Sequence, residues 1–100
     1  MTRTVAAGPT RLVIVDDHAI IRQGLRTMLE RSDEMLVVAE AGPPQQAREA
    51  VREHHPDVVL LDLKLGDDDD AGLTVCRQLT ADDPCVRVLV LTTFLNERLV

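Results

Sequence analysis

Trp and Tyr are absent from this 100-residue chain and Phe94 is its only aromatic residue, so no stacking platform for nucleobases exists. Lysine occurs once, as Lys64, and 17 Asp and Glu outweigh 11 Lys and Arg to a net charge of −6. That balance argues against direct nucleic-acid binding, which calls for a basic face. Cysteine is scarce too. Cys76 and Cys85 have neither metal-ligand spacing nor a disulfide-rich setting, so the chain reads as a reduced, cytoplasmic protein with both thiols as small packing residues. No apolar run approaches the ~18 residues of a membrane span, and Val5-Ala6-Ala7 falls far short of a secretory signal core. What remains, 45% hydrophobic and 28% charged, describes one small soluble domain.

Two periodicities alternate along the chain. Residues 1–10 show no pattern and read as a flexible lead. Leu12-Val13-Ile14-Val15 is a continuous β-branched run, the mark of a strand buried on both faces. From His18 to Arg31 the spacing turns helical, with Ile21, Leu25, Met28 and Leu29 expected on the buried face and Arg22 and Arg26 beside them. Met35 to Ala39 reads as a second strand. Gly42-Pro43-Pro44 then opens a second helix, which buries Ala47, Ala50, Val51 and His54 and stops at Pro56. Val58 to Leu61 is the third strand, Ala71 to Thr80 a third helix packing Val75, Cys76 and Leu79, and Val86 to Leu91 the fourth strand. Leu95 to Val100 opens as a further helix. Strands alternating with helices imply βαβ units and a parallel sheet covered on both faces.

Polar residues then stand at equivalent places. Asp16-Asp17 follows the first strand, Asp62 the third and Thr92 the fourth. In open α/β sheets ligands bind beyond the carboxyl ends of the strands, near the point where strand order reverses. If the first and third strands are neighbours there, three carboxylates and a hydroxyl converge. Carboxylates held so close repel one another, and a hard divalent cation resolves the conflict. Magnesium fits best, because it takes one or two carboxylates and keeps positions for water and phosphate oxygens. Read singly, Asp16 and Asp17 would be helix-capping carboxylates, Asp62 a loop acid and Thr92 a strand-end hydroxyl. His18 reads as a polar residue of the first helical turn, His54 and His55 as a favourable helix end, and Asp67 to Asp70 as a solvated loop.

The segments Leu-Val-Ile-Val-Asp-Asp (12–17), Val-Val-Leu-Leu-Asp-Leu (58–63) and Val-Leu-Val-Leu-Thr-Thr (88–93) resemble the receiver domain of bacterial two-component response regulators. Asp-Asp-His at 16–18 and Leu-Thr-Thr-Phe at 91–94 are similar to the LuxR-type subfamily, whose receivers control a helix-turn-helix DNA-binding domain. The resemblance implies a flavodoxin-like (CheY-like) α/β fold, a doubly wound parallel sheet of order 2-1-3-4. It implies that Asp62 accepts a phosphoryl group from a sensor histidine kinase, in a phosphorelay ending in transcription. Mg2+ would be held by Asp17 directly, Asp16 mainly through water, Asp62 and the Lys64 backbone carbonyl. Thr92 would donate a hydrogen bond to a phosphoryl oxygen. The chain would be no conventional enzyme but a phosphoacceptor that assists its own phosphorylation and dephosphorylation.

Departures from the family pattern sharpen the expectation. The family places a lysine after its fifth strand, whereas Lys64 stands two residues past Asp62. Gly66 and Gly72 occupy the loop where a proline and an earlier glycine are common. The sequence reaches Val100 before a fifth strand or helix, so residues 11–100 read as an incomplete receiver with the fifth strand missing. An edge strand bearing Val86, Val88 and Val90 would then favour a homodimer, or a domain swap of the segment 94–100. Two rival readings are a phosphate-independent dimerisation module and a magnesium-dependent aspartyl phosphatase. The Asp-x-Asp of haloacid dehalogenase-type phosphatases is not matched by Asp16-Asp17-His18.

Overall fold

The computed structural model describes residues 8–62 and 71–91. Four strands, β1 (Thr10–Val15), β2 (Met35–Ala41), β3 (Val58–Asp62) and β4 (Arg87–Leu91), alternate with α1 (Ala19–Leu29), α2 (Pro44–His54) and α3 (Ala71–Asp82). The strands form one parallel sheet in the order β2-β1-β3-β4. The expected α/β class and strand order are therefore observed. Lys64, Asp67 to Asp70, Thr92, Phe94 and the expected helix from Leu95 lie outside the described residues.

Alternation along the strands divides the core in two. Val13, Val15, Val59 and Leu61 point to one face, where they meet Ala47 and Val51 of α2 and Val75 and Leu79 of α3. Ile14 and Leu60 point to the other face and pack with Val37, Leu25 and Leu29 beneath α1. Parallel strands covered on both sides lose the polar alternation of half-exposed strands, and all of Leu12 to Val15 is buried.

The helix ends follow local chemistry. Pro43 caps α2 and Pro44 occupies its first turn, where a missing N–H costs nothing. His55 ends the helix in the left-handed region at φ 46°, and buried Pro56 blocks continuation. Arg11 Nη1 donates to the carbonyls of His54 and His55 at 2.7 and 3.1 Å, satisfying carbonyls that the helix itself leaves open.

Four expectations need correction. β1 begins at Thr10, inside the segment read as a flexible lead. Met28 is 58% exposed, because α1 sets Leu25 and Leu29 on the sheet and leaves Met28 on the rim. Val86 precedes β4 and is buried in the α2–α3 core and Val88 packs against it, so of the three valines only Val90 is exposed, beside Leu89. Cys76 packs against the core as expected, whereas Cys85 is exposed.

Candidate functional site

β1 and β3 are hydrogen-bonded neighbours in the middle of the sheet, with Val15 opposite Leu61. One residue further along each strand stand Asp16 and Asp62. Parallel register alone therefore brings together two carboxylates that are 46 positions apart in the chain, at the carboxyl edge where α/β sheets bind ligands. Both are buried, at 3% and 2% exposure. Asp17 is exposed beside them. Carboxylate oxygens of Asp16, Asp17 and Asp62 and a ring nitrogen of His18 all lie within 4.8 Å of one another.

His18 enters this cluster, which its reading as an ordinary first-turn residue did not foresee. It is the residue that precedes α1, yet its side chain caps no helical N–H. Instead its backbone N–H donates to Asp16 Oδ1 at 2.8 Å, closing a tight turn. The ring Nδ1 lies 2.9 Å from the same oxygen and 3.0 Å from Asp17 Oδ1. The hydrogen bond to Asp16, then the charge of Asp17, raises the imidazole pKa above its ordinary 6.5 against a small opposing cost of burial.

Charge decides what the cluster can hold. Each pair of carboxylates at this spacing repels by about 3–4 kcal/mol at an effective dielectric near 20. Counted formally, three carboxylates keep at least two negative charges in excess whether or not the imidazole beside them is charged, which matches a divalent cation. The donors are hard oxygens, as magnesium requires, and they project from the ends of β1 and β3 and the short turn after β1. The residues present therefore fit Mg2+. Of the sequence-derived site residues, Asp16, Asp17 and Asp62 converge, whereas Lys64 and Thr92 lie outside the described residues.

A second group supports the turn. Arg22, on α1, donates from Nη1 to the Asp16 backbone carbonyl at 2.5 Å, and its Nε lies 3.3 Å from Glu40 Oε1 on β2. In the sequence Arg22 reads only as a flank of the apolar stripe. Its position four residues after His18, one turn along the helix, was the available signal.

Comparison with known proteins agrees with this geometry. The family model of the response regulator receiver domain matches residues 12–100. The oxygen regulatory protein NreC of Staphylococcus epidermidis is 37% identical over 87 residues, and so is the DNA-binding transcriptional activator DevR/DosR of Mycobacterium tuberculosis. Each alignment covers 87% of this chain but 39% of the relative, so the chain spans about two fifths of their length. The crystal structure of a LuxR-family two-component response regulator from Aurantimonas sp. SI85-9A1 superposes with a TM-score of 0.78 at 34% identity, over 91% of this chain and 64% of that one. Fold, strand-end acids and family match coincide over the same residues, and the chain belongs to the response regulator receiver domain family, with its similarity on the LuxR side.

Proposed function

We propose that this chain receives a phosphoryl group on Asp62 from a phosphohistidine of a sensor histidine kinase. The observation that carries the reading is the convergence of Asp16, Asp17 and Asp62 at the carboxyl ends of the two central strands. An Asp62 carboxylate oxygen attacks phosphorus, an O–P bond forms, and the P–N bond breaks. The imidazole leaves with the electron pair and takes up a proton. Asp17 would hold Mg2+ directly and Asp16 mainly through water, with Asp62 and the Lys64 carbonyl as further protein ligands. When bound, magnesium supplies charge neutralisation for the carboxylates and the transferring phosphoryl oxygens. Thr92 donates a hydrogen bond to one of those oxygens.

The chain is a signalling domain, and assistance to its own phosphorylation and dephosphorylation belongs to the proposal. So does a cytoplasmic setting; no described helix is long and apolar enough to cross a membrane. Transcriptional output would act on DNA through a separate domain, as the name of the DNA-binding activator from M. tuberculosis supports. A second copy of the chain would pair along β4, where Leu89 is 54% exposed. Light scattering over a concentration series tests that pairing, and a monomer throughout refutes it.

The phosphoacceptor is tested by substitution. Asp62→Asn abolishes base-labile phosphate incorporation from a small-molecule phosphodonor, because an amide cannot replace the carboxylate nucleophile. Thr92→Ala still accepts phosphate, since it removes a hydrogen bond and not the attacking group. Labelling retained in Asp62→Asn moves the acceptor elsewhere and overturns the assignment.

A further inference from the structure

The backbone at Asp16 lies between two hydrogen-bonding systems. β1 ends at Val15 and α1 begins at Ala19. The Asp16 N–H still donates to the Ala41 carbonyl at 3.0 Å, and the His18 carbonyl accepts the first helical bond, from the Arg22 N–H at 3.0 Å. Among the described residues the Asp16 carbonyl joins neither ladder, and its residue is buried. Arg22 Nη1 reaches it at 2.5 Å.

We propose that Arg22 is a positioning residue for the acidic site: by bonding the Asp16 carbonyl it fixes the turn that carries the Asp16 and Asp17 carboxylates, and Glu40 holds the guanidinium in place. The inference rests on the cation-binding reading above. Distances separate this role from simple attachment of α1 to β2. Glu40 makes its shorter contact, 2.8 Å, with Arg26 Nη1, and only 3.3 Å with Arg22 Nε. Arg26 is thus the main tie between helix and strand, while the shortest bond of Arg22 goes to the turn. Gly42 adjoins the guanidinium at ordinary contact distance. A Cβ there would stand 3.4 Å from Arg22 Nη1 and 3.9 Å from the Asp16 carbonyl oxygen. The planar fork of arginine meets a carboxylate and a carbonyl from separate nitrogens, whereas lysine has to serve both from one.

Groups that orient metal ligands without touching the metal typically contribute 10- to 100-fold to affinity. The test is a Mn2+ titration of the full chain followed by the loss of the free-ion electron paramagnetic resonance signal, beside urea melts without metal. Mn2+ accepts the same oxygen donors as Mg2+. Arg22→Ala weakens Mn2+ binding about 10-fold, and Arg22→Lys by less. Arg26→Ala lowers the melt and leaves Mn2+ affinity unchanged, because it removes the helix–strand tie and spares the turn. If Arg22→Ala does not melt cooperatively, Arg22→Lys carries the test, and wild-type affinity in a folded Arg22→Lys overturns the proposal. Wild-type affinity in a folded Arg22→Ala also overturns it, as does an equal loss in Arg26→Ala. A wild-type chain that binds no Mn2+ brings down the cation-binding reading itself, and this inference with it.

Discussion

Arg48 on α2 grips Asp82 at the end of α3 with two bonds, Nε to Oδ2 at 2.9 Å and Nη2 to Oδ1 at 3.0 Å, while Arg52 stands at 3.9 Å. The hydrogen bonds from Arg48, more than any other influence, hold the Asp82 carboxyl below its ordinary 3.8. A carboxyl with a depressed folded-state pKa contributes stability that is fully present above its unfolded value and fades as pH falls through the folded one. This pair therefore helps the fold at neutral pH and is lost as pH falls below the ordinary carboxylate range. Solvent access keeps its contribution small. Arg48→Ala returns Asp82 to the ordinary carboxylate range, and a carbon-13 carboxyl titration reads the change. An Asp82 value unmoved in that variant would show that the fork is not what depresses it.

The helices differ in what they bury. α2 and α3 drive Ala47, Val51, Val75 and Leu79 into the larger core, whereas no residue of α1 is fully buried. Leu79→Ala therefore costs about 2–5 kcal/mol, a large share of the ~5–15 kcal/mol that holds an ordinary domain. Ile20→Ala and Met28→Ala, at 83% and 58% exposure, stay within about 0.5 kcal/mol. Urea denaturation of the three variants checks the contrast, and similar losses at Leu79 and Ile20 would contradict it. Met28 also shows where periodicity stops being decisive. At about 100° per residue, it falls only ~20° outside the arc from Ile21 to Leu29, on the side away from Arg22 and Arg26. The rotation of α1 over β1 and β2 puts it in water, and spacing alone cannot register so small an angle.

Across the whole molecule, the site lies where two distant segments meet, so a cation bound there would tie β1 to β3 and stabilise the folded state alone. At a hundredfold excess of Mg2+ over its Kd the gain is about 2.7 kcal/mol. Thermal melts with and without Mg2+ show this as an upward shift, and removal of the ion by chelation reverses it. The shift vanishes in Asp62→Asn if that carboxylate is a ligand. A melt indifferent to saturating Mg2+ would refute the cation site.

Strand and helix identity, their order, and the acids at the strand ends were legible in the sequence because they are written locally. β-Branched runs at 12–15 and 58–61 demand burial on both faces, Pro43-Pro44 and Pro56 bracket a helix, and Asp16 and Asp62 each stand at the end of a buried run. The receiver motifs then supplied the strand order that local pattern leaves open. Tertiary structure decided the rest. The Val15–Leu61 register set Asp16 beside Asp62, the turn after β1 folded His18 back onto both aspartates, and the packing of α1 delivered Arg22 to a carbonyl six residues earlier. Cys85 was left exposed and Val86 buried by the same kind of event. Each depends on the relative placement of elements, which hydrophobic burial and hydrogen-bond satisfaction settle only when the whole sheet is assembled, because no short stretch of chain contains both partners of such a contact.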